Sequence, residues 1–196
     1  MQKKKSGDSA VALRRREQVL VAAAECVRRE GFHRTSMSQI SAAAGMSSGH
    51  IHHFFGGKEG IIEGVVAREH SDLGEFIDEV RAASGETDAV TAFTDLVPKC
   101  AERYMNSDHA ALATEILAEA SRNENVASLI QRNDDSVSEA FQTLFGGPSP
   151  MVRAQCDLIA AIFEGLSARS IRNPSSREFI DIQMLQRVVA SILTEK

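Results

Sequence analysis

The chain has 196 residues, 43% hydrophobic and 25% charged, with no Trp, one Tyr, four Pro and a formal net charge of −5. That is ample apolar material for one or two buried cores, and frequent Ala beside few aromatic residues favours helix over sheet. The basic opening MQKKK has no apolar stretch behind it and no run of about 18 apolar residues follows, so neither a secretory signal nor a membrane span is expected, and the cytoplasm is the expected location.

Cys26, Cys100 and Cys156 are far apart and never paired as C-x-x-C, which argues against a disulfide framework or a thiolate zinc site. Charge is unevenly spread. Up to Lys58 there are ten basic and four acidic residues; beyond it there are twelve basic and twenty-three acidic. A basic segment on an acidic protein suggests an anionic partner, with nucleic acid the leading candidate. The Lys3–Lys5 run alone reads as a solvated tail.

In chain order, Leu20, Ala23, Ala24 and Val27 recur at helical spacing, predicting an amphipathic helix over about 10–30 that Gly31 ends as a left-handed cap. Thr35 or Ser36 then caps a short helix, MSQISAAA, which Gly45 closes. Ser47 or Ser48 caps another short helix reaching His53, and Gly56–Gly57 break it. From Lys58 a long helix carries an apolar stripe through Ile61, Ile62, Val65, Val66, Leu73, Phe76, Ile77 and Val80. Two short helices joined by a tight glycine turn, behind a supporting helix, describe a helix-turn-helix. Ala42, Ala43 and Ala44 allow a close crossing, and Gly45 permits positive φ. The second short helix keeps Ser47, Ser48, His50, His52 and His53 polar, as a helix lying in a DNA major groove would.

The stretch REGFHRTSMSQISAAAGMSSGHIHHFFGGKEGII resembles the DNA-binding segment of the TetR family of bacterial transcriptional regulators. The resemblance rests on Gly31, Phe32, Thr35, Ser36, Ile40, Ala44, Gly45, Ser47, Gly49, Ile51, Phe55, Lys58 and Glu59, all in the first third of the chain. It departs where His52 stands for the family's usual Tyr and Phe54 for its frequent His. An imidazole can donate to a phosphate as a Tyr hydroxyl does, more strongly when protonated, so binding is expected to weaken as pH rises through the titration of His52.

Other readings of the histidines are weaker. His50 and His53 share a helix face at i, i+3, but no Cys, Asp or Glu lies within reach in sequence before Glu59 to complete a metal site. No nucleophile–base set surrounds them, so no enzyme is expected and no cofactor is implied. The Gly-Gly-Lys at 56–58 is not a phosphate loop, because no Ser or Thr follows the lysine and no strand precedes it.

Beyond Lys58 the pattern is helical throughout. DAVTAFTDLVPKCAERYMN has Pro98 as a kink or a fresh start; HAALATEILAEASRN and NENVASLIQRNDDSVSEAFQTLF follow. Ser149 and Pro150 open MVRAQCDLIAAIFEGLSARSI, and SSRE at 175–178 reads as a capping box for a last helix. The fold class is all-α, with about nine helices divided between a head over 1–57 and a body over 58–196.

The resemblance implies that the body binds a small-molecule effector and dimerises through the last two long helices, about 150–171 and 176–194. Ala160, Ala161, Gly165 and Ala168 would allow close approach there, and Leu158, Ile162, Phe163 and Leu166 would supply apolar area. It also implies a homodimeric repressor released by its effector from a quasi-palindromic operator. Thr35, Ser36, His52 and Lys58 would hold phosphates. Ser38, Ser47, Ser48, His50 and His53 would face bases or backbone, and Arg14–Arg16 would add phosphate contacts. Ligand-pocket candidates are Phe93, Tyr104, Glu115, Asn133 and Phe141, with Glu119 an alternative to Glu115. The rival readings are an activator without a ligand and a metal-responsive sensor built on His50 and His53.

Overall fold

A computed structural model describes residues 2–195 of the chain. The side chains of residues 2–9 and 70–72 lie outside the described residues, and the Lys3–Lys5 run with them. Among the described residues every regular element is helical. In order these are α1 (Gln2–Arg34), α2 (Met37–Ala44), α3 (Ser48–Phe55), α4 (Lys58–Ala83), α5 (Ala89–Met105), α6 (Ser107–Ala120), α7 (Glu124–Leu144), α8 (Pro150–Arg172), the 3-10 helix Pro174–Phe179, and α9 (Ile182–Thr194). No helix among them is long and apolar enough to cross a membrane. Gly31 interrupts α1 with φ 77° and ψ 161°: the positive φ expected of a glycine break is present, but ψ lies outside the left-handed helical cap, in a region essentially reserved to glycine, and the chain turns on to Arg34.

The helices form two compact units. The first comprises residues 1–69 with 115–129, and the second residues 70–114 with 130–196. In the first unit Val19, Ala23, Val27, Phe32, Ile40, Ile51, Ile61 and Val65 are almost wholly buried. Val19, Ala23 and Val27 of α1 and Ile61 and Val65 of α4 recur every four residues, Phe32 follows the Gly31 break, and Ile40 and Ile51 are apolar anchors of the two short helices. Burying a side chain of this kind stabilises by roughly 1.5–3 kcal/mol, so Ile40 and Ile51 are what tie α2 and α3 to the supporting helices.

The second unit is built around Val80, Phe93, Val97, Ala101, Phe141, Ile159, Phe163, Val189 and Leu193. Aromatic rings meet edge to face within it, Phe93 with Phe141 at 5.7 Å and with Phe76 at 5.9 Å, an arrangement that aligns ring edge with ring face. Buried polar side chains close the helix ends. Gln155 Nε2 donates to the carbonyls of Ile192 and Glu195 at the end of α9, and Ser167 Oγ donates to Tyr104 O near the end of α5.

Pro98 does not divide α5, which runs unbroken from Ala89 to Met105. Proline removes the N–H that would reach the carbonyl four residues back; that carbonyl, on Thr94, accepts instead from Gln186 Nε2 of α9 at 3.1 Å. The last helix, by contrast, starts later than the capping-box reading placed it. Ser175 donates its hydroxyl to Asn173 Oδ1, residues Pro174–Phe179 wind as a 3-10 helix, and Asp181 caps α9 by accepting from Met184 N at 3.0 Å. The local serine signal lost to a proline that set a tighter turn before it.

Candidate nucleic-acid interface

The head is assembled from short-range signals. Ser36, rather than Thr35, caps α2: its hydroxyl accepts from Gln39 N while its own N–H donates to Gln39 Oε1 at 2.7 Å, a reciprocal capping box. Gly45 ends α2 at φ 61°, which a residue with a Cβ adopts only at a cost. Ser47, rather than Ser48, then caps α3 by accepting from His50 N. The two helices also meet through Ser41 Oγ and Ser48 Oγ, 2.9 Å apart.

Side chains of α1 fix both short helices from behind, and sequence reading did not find them. Gln18 Nε2 donates to Ala44 O at 2.8 Å, satisfying the C-terminal end of α2. Arg16 Nη1 donates to Phe54 O at 2.6 Å, and its guanidinium lies over the Phe55 ring at 4.6 Å. Arg16 was grouped with Arg14 and Arg15 as a phosphate ligand; it is instead a clamp on the end of α3. No local signal marks either residue, because the carbonyls they meet belong to other helices far along the chain.

The exposed face of α3 holds what remains. Ile51 and Phe55 are buried, while Ser47, Ser48, His50, His52 and His53 are exposed. Ser38 on α2 is exposed as well, and Ser36 half-buried. His50 is oriented by a 3.0 Å contact between its Nδ1 and Ser47 Oγ. Lys58 is half-buried and donates to His33 O at 3.3 Å, so part of its hydrogen-bonding capacity is already used within the head. Thr35 corrects the sequence reading: it is only 2% exposed, and its hydroxyl donates to Gly31 O at 2.8 Å. Folded against Gly31, that hydroxyl is not available to a phosphate. Among the described residues no three His, Cys, Asp or Glu side chains converge on a point a metal could occupy, so the metal-sensing alternative finds no support.

The proposed ligand residues scatter. Phe93 and Phe141 are buried in the core of the second unit, held by each other and by Phe145. Glu115 belongs to the first unit, where its carboxylate oxygen stands 2.9 Å from the place a Cβ on Gly31 would take. Glu119 is also in that unit, bonded to Arg122 and Asn123. Asn133 is half-buried and does not line the second unit's cavity, whereas Tyr104 does. That cavity, about 470 Å³, is formed by Leu73, Glu75, Phe76 and Glu79 of α4 with Lys99, Cys100, Arg103 and Tyr104 of α5. Its charged members fall at i, i+4 on each helix beside the apolar stripes, a pattern that could have drawn attention to them. Burial pushes the Cys100 thiol up to about 12 and raises the Tyr104 hydroxyl further above its ordinary range, so both present neutral groups to the cavity.

Residues 19–65 match the family model described as bacterial regulatory proteins of the tetR family. The regulator BetI of Vibrio vulnificus is 49% identical over 49 residues, 25% of this chain and 25% of that protein, so the alignment spans a quarter of this relative's length. Solved structures extend the likeness to the whole fold. GusR of Salmonella enterica superposes with a TM-score of 0.74 at 24% identity, covering 93% of this chain and 97% of that one. FadR of Bacillus subtilis, solved in complex with stearoyl-CoA, gives 0.70 at 18%, covering 91% and 97%. Residues 19–65 therefore carry the head of the tetR family of bacterial regulatory proteins, and the chain shares its all-helical fold with these solved structures.

Proposed function

We propose that the protein is a sequence-specific DNA-binding transcriptional regulator, acting as a dimeric repressor that a small molecule releases from a quasi-palindromic operator. The observation that carries this reading is α3. Its apolar residues are buried against the head, and its exposed face is lined by Ser47, Ser48, His50, His52 and His53 on a segment rich in basic residues. A recognition helix in a major groove needs such a face. We assign DNA binding to residues 1–57, which pack into the first unit together with 58–69 and 115–129, and effector binding and dimerisation to the part of 58–196 that makes up the second unit; no catalytic role is proposed.

Dimerisation is supported by α8 and α9. Met151, Leu158, Ala161, Gly165 and Ala168 follow one another along an exposed face of α8, and Met184 and Val188 are exposed on α9. Phe163 was expected on that face, but it is 3% exposed and belongs to the core. A second copy is the occupant that fits, because a two-fold operator requires two heads. Leu158→Glu combined with Val188→Glu is predicted to give a helical monomer with much weaker operator binding. A variant that stays dimeric and binds fully contradicts the assignment.

The cavity between α4 and α5 of the second unit is the proposed effector site, of a size ordinary for small ligands. The effector would couple to operator affinity by roughly 1–3 kcal/mol. A bound ligand that raises Tm and leaves operator affinity unchanged would contradict this part of the reading.

A further inference from the structure

Helical glycines in this protein fall into two groups. Gly60 and Gly64 have an internal reason: a Cβ would lie 2.0 Å from Phe55 O at the first and 2.7 Å from Leu20 Cδ2 at the second. Gly49 has none. It lies in the first turn of α3, is exposed, has no positive φ, and a Cβ built on it would meet nothing within 4 Å. Glycine within a helix is less stable than alanine there, and nothing inside the molecule offsets that at residue 49. Gly165 shares this openness on the face assigned above to a second copy. Gly74 shares it too, with no second observation to give it meaning.

At Gly49 the second observation is its neighbour. Ser47 Oγ accepts from His50 N at 3.4 Å and lies 3.0 Å from His50 Nδ1. A serine hydroxyl can donate its proton to Nδ1 while its oxygen accepts from the backbone, and this is the pairing we assign here. That leaves the ring proton on Nε2, the nitrogen not engaged by the cap. In this tautomer, and equally in the imidazolium, Nε2 is a donor, so the group that meets it must be an acceptor.

Resting on the DNA-binding function proposed above, we propose that Gly49 and His50 form the base-reading point of the head. Gly49 brings the backbone within a methyl group's distance of the groove edge, and His50 donates from Nε2 to guanine. Guanine places two adjacent acceptors, N7 and O6, in the major groove, whereas adenine sets its N7 beside a donor. A single donor whose angle is fixed by Ser47 therefore favours guanine.

The test uses the full-length protein and the duplex it enriches from a pool of random 30-base-pair fragments. Gly49→Ala is predicted to raise Tm by about 2 °C, through helix propensity, and to lower affinity for that duplex about tenfold. These opposite shifts are what a purely structural glycine would not give. Substituting 7-deazaguanine at each guanine in turn is predicted to weaken wild-type binding about 3- to 10-fold at one position per half-site, the loss of one hydrogen bond, and to leave His50→Ala unaffected there. Unchanged affinity for Gly49→Ala, or the same 7-deazaguanine profile for wild type and His50→Ala, overturns the inference while leaving DNA binding intact. A pool from which wild type enriches nothing refutes the DNA-reading function itself.

Discussion

Gly60→Ala tests how the head holds its recognition helix. Gly60 stands in the first turn of α4, and an ideal Cβ there would lie 2.0 Å from the carbonyl oxygen of Phe55, the last residue of α3. Real Cβ contacts below 3.0 Å essentially do not occur, so the end of α3 must retreat by about 1 Å or α4 must bend. The obstacle is backbone, not the tip of a flexible side chain, and Phe54 O and the Phe55 ring are both held by Arg16. Overpacking of this rigid kind lies near the upper end of the usual ~1–3 kcal/mol. Against it stands a gain of about 1 kcal/mol for alanine over glycine in a helix. The net loss is about 2 kcal/mol, or roughly 4–8 °C in Tm for a domain of this size, and displacement of α3 should lower operator affinity about tenfold or more, which is ~1.4 kcal/mol. Differential scanning calorimetry and fluorescence anisotropy read the two effects. A Gly60→Ala protein with wild-type Tm and wild-type affinity would refute the reasoning, because it would show that the Phe55–Gly60 contact does not position α3.

Other expectations follow from the same geometry. Gln186→Ala leaves the Thr94 carbonyl unpaired behind Pro98 and is predicted to cost about 1–3 kcal/mol in urea unfolding; in a Pro98→Ala background, where a backbone amide again reaches that carbonyl, the loss should shrink, and an equal loss in both backgrounds contradicts the account. The Asp88 carboxylate is held below its ordinary range by the Thr91 hydroxyl and the amides of Thr91 and Val90. Its contribution to stability is therefore present above the ordinary carboxylate pKa near ~4 and is lost as pH falls through the lower folded value; Asp88→Asn should flatten that acid limb in pH-dependent melts. Cys26, Cys100 and Cys156 are all buried, and burial raises each thiol, so the folded protein should resist thiol-specific reagents at pH 8 until denaturant is added. Rapid labelling of any one of them in the native state would contradict this.

The parts of the fold legible in the sequence are those written in neighbouring residues. Ser36 with Gln39, Gly45, Ser47 and the Gly56–Gly57 break mark the ends of α2 and α3 within a few residues, and Ile40 and Ile51 name the buried sides. What stayed illegible depends on residues distant in sequence. Thr35 reads in sequence as a cap or a phosphate ligand, yet its hydroxyl is taken by Gly31 O inside the head. Arg16 reads in sequence as a phosphate contact and Gln18 carries no signal of its own; their roles depend on the ends of α3 and α2 that pack against them. Phe93 and Phe141 looked like candidate pocket walls, but the packing of several helices decides which aromatic faces a cavity and which faces another ring. Periodicity marks the charged pairs Glu75–Glu79 and Lys99–Arg103 on their own helices, but that α4 and α5 bring them to one cavity depends on that packing. At the 3-10 helix Pro174–Phe179 the failure was different in kind: two local signals competed, and the proline's fixed φ outweighed the serine's capping potential.

The central claim is that the head binds DNA by sequence and is anchored on phosphates. Fluorescence anisotropy of the full-length protein, on DNA from upstream of its own gene and on a scrambled duplex of equal length across a salt series, tests it most directly. The account predicts a preference for the native duplex, with affinity that falls steeply and linearly in log–log form as salt rises. Equal, weak binding to both duplexes, together with failure to enrich any sequence from a random pool, would contradict it.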